Sequence, residues 1–319
     1  MIKKAIKLIK NSHNILILTH ESPDGDALGS MLALYMALTK EGKKISCICA
    51  SDIPNTFSFL PKSHVIKKDF LLGDYDAIII LDCGDSRRTG YHERIKEFTK
   101  FKNKIINIDH HAKNDLHKIA SLNIIDYQAS STSEIVYFLL QSIKINIDKE
   151  IALCLLCGLY TDTCSFKHSN TTTRTLKIAS NLLRKGARLK KITENVINNH
   201  SLAALRLRGI ALKRLKFNQK YKIATSFITS EDMQSCQAAC EDASGIVNMI
   251  NAIPGVKIAL FLYQLNDKII KGSLRTEKNN INLARFAKLL GGGGLKKASG
   301  FKINGQLTIQ KDEFCIKYL

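Results

Sequence analysis

A chain of 319 residues, 45% of them apolar, is long enough for two domains with full cores, and no stretch of about 18 residues lacks a polar break, which excludes a membrane-spanning helix. Residues 1–200 carry 29 basic and 20 acidic side chains (+9) and residues 201–319 carry 19 and 8 (+11), so the shorter half is the more basic and is expected to grip phosphate. The N-terminus MIKKAIKLIKNSHN lacks the apolar core of a secretory leader, and nine scattered cysteines argue against a disulfide framework, so a cytoplasmic protein is expected.

Residues 1–13 read as a short basic helix and Ile15–Leu18 as a strand. The stretch THESPDGDALGS (residues 19–30) follows, and from Ala27 to Thr39 the residues Leu28, Met31, Leu32, Tyr35 and Leu38 recur at helical spacing. His20, Asp24 and Asp26 thus stand where a strand ends and a helix begins, the place where open α/β sheets put chemistry. Two carboxylates aimed at one point repel by roughly 4 kcal/mol at about 4 Å and an effective dielectric near 20, a cost that a bound cation removes. Helix capping is the competing account of Asp24 and Asp26.

Lys44–Ala50 reads as the next strand. Asp76–Leu81 is an apolar run of the kind buried on both faces of a parallel sheet, and it ends in Asp82-Cys83-Gly84-Asp85. Lys104–Ile108 repeats the design and ends in Asp109-His110-His111. Ser131 and Glu134 have the spacing of a capping box opening a helix to about Ser142, a structural role. Ile151–Tyr160 is helical and delivers Asp162, and Thr171–Lys185 is a further helix stopped by Gly186. Cys154 and Cys157 lie inside an apolar helix and read as core, while His92 reads as a surface residue. Strands alternating with helices predict a doubly wound parallel sheet.

The second half reads as α+β. Tyr221–Ile228, Val256–Leu265 and Lys268–Leu274 are expected strands, the last two joined at Asn266-Asp267, and Ser244–Ile253 and Leu283–Leu290 are expected helices. Gly291–Gly294 would form a loop that lets backbone approach a ligand, with Ser273 and Arg275 as polar partners. The domain expectation is 1–186, a helical connector at 187–205, and a smaller domain at 206–319.

Collected, the strand-exit residues are His20, Asp24, Asp26, Asp82, Asp109, His110, His111 and Asp162. Oxygen ligands with a minority of imidazoles suit Mn²⁺ or Mg²⁺ better than tetrahedral zinc. The carboxylates exceed the needs of one ion, and two ions sharing a bridge suit in-line displacement at phosphorus.

In HESPDGDALGS (20–30), DCGDSRR (82–88), DHH (109–111), YTDTCSF (160–166) and SLR with GGG and ASG (273–300), the chain resembles the DHH phosphoesterases over nearly its whole length. The resemblance implies that His20, Asp24 and Asp82 hold one Mn²⁺ and Asp26, Asp82, His110 and Asp162 the other. It also implies that Asp109 orients its neighbours without holding an ion itself, and that His111 and Arg88 contact the substrate phosphate. The C-terminal half looks like the DHH-associated domain of the nuclease branch, which faces the catalytic domain across a cleft. Ser273, Arg275, Gly292, Gly293, Gly294, Lys296 and Lys297 are the substrate contacts this suggests.

The size fits the short enzymes that degrade oligoribonucleotides and dephosphorylate 3′-phosphoadenosine 5′-phosphate, so the expected partners are short single-stranded RNA or nucleotide phosphates. A membrane is not expected, and a homodimer is the oligomeric state carried with this reading. Hydrolysis of a linear or cyclic dinucleotide is the alternative within the family. Two departures stand out: Leu295 occupies the place of the histidine in the family's Gly-Gly-Gly-His loop, and Cys164 stands where a glycine is common. Leucine cannot donate to a phosphate, which opens a third reading, a weakly active nucleic-acid-binding relative.

Overall fold

The computed structural model of the chain describes residues 2–101, 104–111, 115–196, 201–310 and 313–317. It divides into two compact units, residues 1–199 and 200–319.

The first unit runs α1 (Ile2–Asn11), β1 (Asn14–Leu18), α2 (Gly25–Lys40), β2 (Lys44–Ile48), β3 (Ile66–Lys67), β4 (Ala77–Leu81) and α3 (His92–Phe101). It continues with β5 (Ile105–Asp109), α4 (Leu116–Ile119), β6 (Leu122–Ile125), α5 (Thr132–Ile143), α6 (Lys149–Asp162), α7 (Thr173–Arg184) and α8 (Leu189–Val196). Among the described residues β1–β6 form one sheet in the order β3-β2-β1-β4-β5-β6, every pair parallel. The order reverses between β1 and β4, and a ligand crevice is expected outside the carboxyl ends of the strands at such a reversal.

The apolar strands are explained by two covered faces. Ile15, Ile17, Ile79, Leu81, Ile106 and Ile108 enter a core shared with α2, α5 and α6. Their neighbours Leu16, Leu18, Ile78, Ile80 and Ile105 enter a second core with Ile95 and Phe98 of α3 and Leu116 of α4. Cys154 and Cys157 are fully buried in the first of these cores. Ile192 of α8 is buried there too, so this basic helix packs on the first unit.

The second unit runs α9 (Leu202–Lys213), β7 (Lys216–Asn218), β8 (Ile223–Ile228), α10 (Ser230–Ser235), α11 (Ile246–Asn251), β9 (Ile258–Asn266) and β10 (Ile269–Arg275). Then come α12 (Leu283–Leu289), β11 (Gly293–Gly294), β12 (Ala298–Asn304), β13 (Gln306–Gln310) and β14 (Glu313–Lys317). Its sheet has the order β11-β12-β10-β9-β8-β7, with β8 and β9 parallel and the other pairs antiparallel. Leu207 of α9 and Ile246 and Ile250 of α11 pack on one face with Phe261. Leu283 and Ala287 of α12 and Leu307 of β13 pack on the other with Ile270, Leu274 and Phe301. The glycine run is partly strand: Gly293 and Gly294 pair with Gly300 and Ser299.

Candidate metal centre

The expected residues of the first unit meet at the carboxyl ends of β1, β4 and β5. Three groups of donor atoms each lie within 4.8 Å of one another: His20 with Asp24 and Asp82; Asp26 with His110 and Asp162; and Asp82 with Asp109, His110 and His111. His110 Nε2 is 3.6 Å from Asp82 Oδ1 and 3.4 Å from Asp162 Oδ2, and His20 Nε2 is 3.8 Å from Asp82 Oδ2. Asp82, which like His110 belongs to two groups, is 2% exposed and leaves β4 with φ +53°, a left-handed conformation that aspartate tolerates better than most residues.

Asp24 does cap α2, as the competing account holds: its Oδ1 accepts from the backbone N–H groups of Asp26 and Ala27, both at 3.0 Å. Capping uses that one oxygen, and Asp24 remains a member of the His20 group.

The turn that opens α5 supports the centre, a role the sequence analysis did not assign to it. Asp26 Oδ2 accepts from Thr132 N at 2.5 Å and Oδ1 from Ser133 N at 2.8 Å, so this carboxylate sits on the positive end of α5. Thr132 Oγ1 donates to Asp82 Oδ1 at 3.1 Å. Ser131 makes its expected cap with Glu134 N, but the Glu134 carboxylate turns to Ser130, Thr175 and Arg174. A Ser/Thr cap opens many helices, so nothing in its sequence marks it as part of a site.

Close crossing of α2 and α6 brings Asp26 toward Asp162. A Cβ on Gly158 would lie 2.0 Å from Ser133 Oγ and 2.5 Å from Asp26 Oδ1, so the residue must be glycine. After Asp162 the chain turns through Cys164, Ser165 and Phe166, all with positive φ (47°, 63° and 63°). Cys164 therefore occupies a conformation that favours glycine, which accounts for glycine in the family's motif. Asn170 Nδ2 ties the turn down by donating to the carbonyls of Ser130 and Asp162.

Burial sets the electrostatics. Removal from water, reinforced by the charge of Asp24, pushes the Asp26 carboxyl up to about 7. Burial and then the neighbouring carboxylates raise Asp82 and Asp162 well above the usual range. Burial also lowers His20, and burial with the adjacent His111 lowers His110 to about 4. His111 runs the other way: burial disfavours its proton, but the hydrogen bond and charge of Asp109 outweigh that and raise it. Asp109 Oδ1 accepts from His110 N, His111 N and His111 Nδ1, the last at 2.7 Å.

These donors fit divalent cations on three counts. Burying mutually repelling carboxylates is costly unless positive charge lies among them. The Nδ1 of His20 bonds the Glu21 carbonyl at 2.8 Å, and because a carbonyl only accepts, Nδ1 carries the proton and Nε2 presents its lone pair beside Asp82, the arrangement of a metal-binding histidine. Among the described residues, Asp109 Oδ2 is buried with no hydrogen-bond partner.

Arg88 lies on the helical turn Ser86–Thr89 that follows Asp82, is exposed, and adds to the cationic field that disfavours protons on His20 and His111 after burial. Its carbonyl accepts from Glu21 N, which ties this turn to the exit of β1. His92, expected at the surface, is instead half-buried with Nδ1 2.5 Å from Ser86 Oγ, while Asp115 accepts from Ser86 N at 3.0 Å. The reason is local: α3 begins at His92, and the ring faces the buried Ser86 hydroxyl, which also donates to the Asp115 carboxylate.

In the second unit Ser273 and Arg275 lie on the sheet face that α11 covers, and Arg275 Nε donates to Asn248 Oδ1 at 2.9 Å. Gly294 (φ +134°) and Gly292 are required by the hairpin itself, since Cβ atoms there would lie 2.6 Å from the Ala298 carbonyl and 2.2 Å from that of Gly300. Gly293 faces open space. Leu295 and Ala298 exchange backbone hydrogen bonds across a tight turn that carries Lys296 and Lys297, and the Leu295 side chain is 48% exposed.

Both units are similar to known proteins. Residues 14–159 match the DHH family N-terminal domain and residues 232–316 match the DHHA1 domain. A bifunctional oligoribonuclease and PAP phosphatase NrnA from Thermus thermophilus is 30% identical over 296 residues, 91% of this chain and 84% of its own length. The protein of the same name from Mycoplasma genitalium is 29% identical over 309 residues, 97% of this chain and 94% of its own. The crystal structure of an exopolyphosphatase-related protein from Bacteroides fragilis superposes with a TM-score of 0.89 at 30% identity, covering 98% of this chain and 92% of that one. The chain therefore belongs to the DHH phosphoesterase family, hydrolases dependent on divalent metal, in the branch that carries a DHHA1 domain.

Proposed function

We propose that the chain hydrolyses short oligoribonucleotides to mononucleotides, and 3′-phosphoadenosine 5′-phosphate to AMP, using two Mn²⁺ ions or Mg²⁺ in their place. The observation that carries this reading is that Asp82 groups with His20 and Asp24 and also lies 3.6 Å from His110, which in turn groups with Asp26 and Asp162, as a ligand shared by two ions would. The reading gives His20, Asp24 and Asp82 to one ion and Asp26, Asp82, His110 and Asp162 to the other. Bound there, the ions supply positive charge to the phosphate oxygens and acidify the attacking water.

The protein's own groups do the rest. Asp109 holds the Nδ1 proton of His111, which favours the protonated imidazole and leaves Nε2 to face a phosphate oxygen. His110, lowered by burial, stays neutral and free to ligate. Arg88 adds a second cationic contact. Ser273, Arg275, Gly292, Gly293, Gly294, Lys296 and Lys297 are assigned to the nucleotide. The names of the Thermus and Mycoplasma relatives support this choice of substrates. Nine free cysteines suit the reducing cytoplasm.

The half-exposed Leu295 favours a second reading, an RNA-binding relative with weak turnover. The test is to incubate the protein and Asp82→Ala with Mn²⁺, Mg²⁺ or chelator, and to follow end-labelled RNAs from the dinucleotide upward, 3′-phosphoadenosine 5′-phosphate and a cyclic dinucleotide. Mononucleotides and AMP are expected from the parent with metal alone. Cleavage confined to the cyclic dinucleotide would move the substrate, and retention of RNA without product would establish the second reading.

A further inference from the structure

Residues 213–222, KRLKFNQKYK, hold five cationic side chains, two aromatics and no acid. They span the end of α9, strand β7 and the turn into β8, and β7 is an edge of the second unit's sheet. Lys213, Lys216 and Lys220 are exposed, Tyr221 is 58% exposed and Phe217 is half-buried. Lys222 Nζ lies 5.7 Å from the centre of the Phe217 ring, and Lys220 Nζ lies 5.4 Å from that of Tyr221.

Beside this edge is a cavity of about 600 Å³ bounded by Phe227, Leu260 and Phe314 and bordered by Lys216 and Phe217, a volume within the range of nucleotide-sized ligands. Arg214, also at the cavity, is committed to Asp232 through both Nη atoms, with its guanidinium 4.8 Å from the Phe227 ring centre. The cavity lies on the face of Thr225, Leu260 and Leu274, opposite the face of Ser273 and Arg275. Lysines on an edge strand also prevent strand pairing, which accounts for the charge. That purpose does not account for the exposed Tyr221 ring or for the apolar cavity beside the edge; Phe217 itself packs against the core on the α9 and α11 face.

We propose that this edge and cavity of the second unit bind single-stranded RNA through residues that take no part in the metal centre. One base stacks on Tyr221, another enters the cavity, and Lys216, Lys220 and Lys222 neutralise the flanking phosphates. The identity of the polymer rests on the RNA reading above.

The test uses the full chain under chelation, with a 5′-fluorescein RNA of about eight nucleotides followed by anisotropy across a salt series. Tyr221→Leu, which keeps an apolar side chain at the site, is expected to weaken binding at least about fivefold, the value of one stacked base. The double variant Lys216→Gln/Lys222→Gln is expected to lower the salt slope by about 0.7 per lysine. Thermal midpoints are read alongside, and if Tyr221→Leu is unfolded it is replaced by Tyr221→Ser, which removes the same exposed ring and carries the same expectation. Equal affinity and slope in all folded variants would overturn the proposal. So would variant-sensitive binding to phosphatidylglycerol vesicles with none to RNA. If the parent cleaves RNA with metal while the variants bind normally, this inference alone fails. If the variants lose RNA binding while the parent cleaves nothing, the hydrolase reading fails and the groove stands.

Discussion

At Leu295 a half-exposed apolar side chain sits at the start of a tight turn, in the place where the family's loop carries a histidine. The hairpin around it is intact, with Gly294 in the conformation its packing demands, so on the proposed reading the nucleotide contact there lacks only a donor. Leu295→His should restore one charge-assisted contact to phosphate. The expected result is a rise of about tenfold in kcat/KM on short RNA, the value of one such hydrogen bond. Metal affinity should not change. An unaltered rate on every RNA and mononucleotide tried would show that the histidine has no role in this chain.

At the scale of elements, the centre depends on how α2, α5 and α6 meet. Gly158 is where they touch, and a methyl group there would strike both Ser133 and Asp26. Gly158→Ala is expected to cost about 1–3 kcal/mol of stability, the usual penalty of overpacking. It should also weaken divalent-ion binding measured by calorimetry, because the Asp26 carboxylate must move off the α5 N-terminus. A variant that melts and binds metal like the parent would contradict that geometry.

The same elements divide what was legible in the sequence from what was not. Apolar runs ending in Asp82 and Asp109 announced buried parallel strands, and β4 and β5 form as read because both of their faces are covered. Thr132, Ser133 and Asn170 gave no signal, since their work is done by backbone N–H groups and a side-chain amide in contacts distant along the chain. Strand β12 went unread because ASGFKIN opens with small residues and lacks the clean alternation of a half-buried strand. The glycine run looked like a loop, whereas Gly292 and Gly294 are there to let it pack against β12.

For the whole molecule, the buried carboxylates link stability to pH. Asp26, Asp82 and Asp162 are raised in the folded state, so the stability they contribute is complete below the unfolded value of about 4 and is lost as pH rises through the folded values, near 7 for Asp26. His111 is also raised, and its contribution falls in the same direction above about pH 6.5. His20 and His110 are lowered, and above that pH they are neutral in both states. Scanning calorimetry of chelated protein should therefore show Tm falling from about pH 6.5 to about pH 8, with added Mn²⁺ raising Tm more at the alkaline end. A chelated Tm that is flat or rising over that interval would contradict the charge arrangement.

The most direct test of the central claim is isothermal titration of metal-free protein with Mn²⁺, alongside Asp82→Asn. The account predicts two ions per chain in the parent, with both sites weakened by the single substitution because one carboxylate serves both. A parent that takes up no ion, or a variant that titrates like the parent, would contradict it.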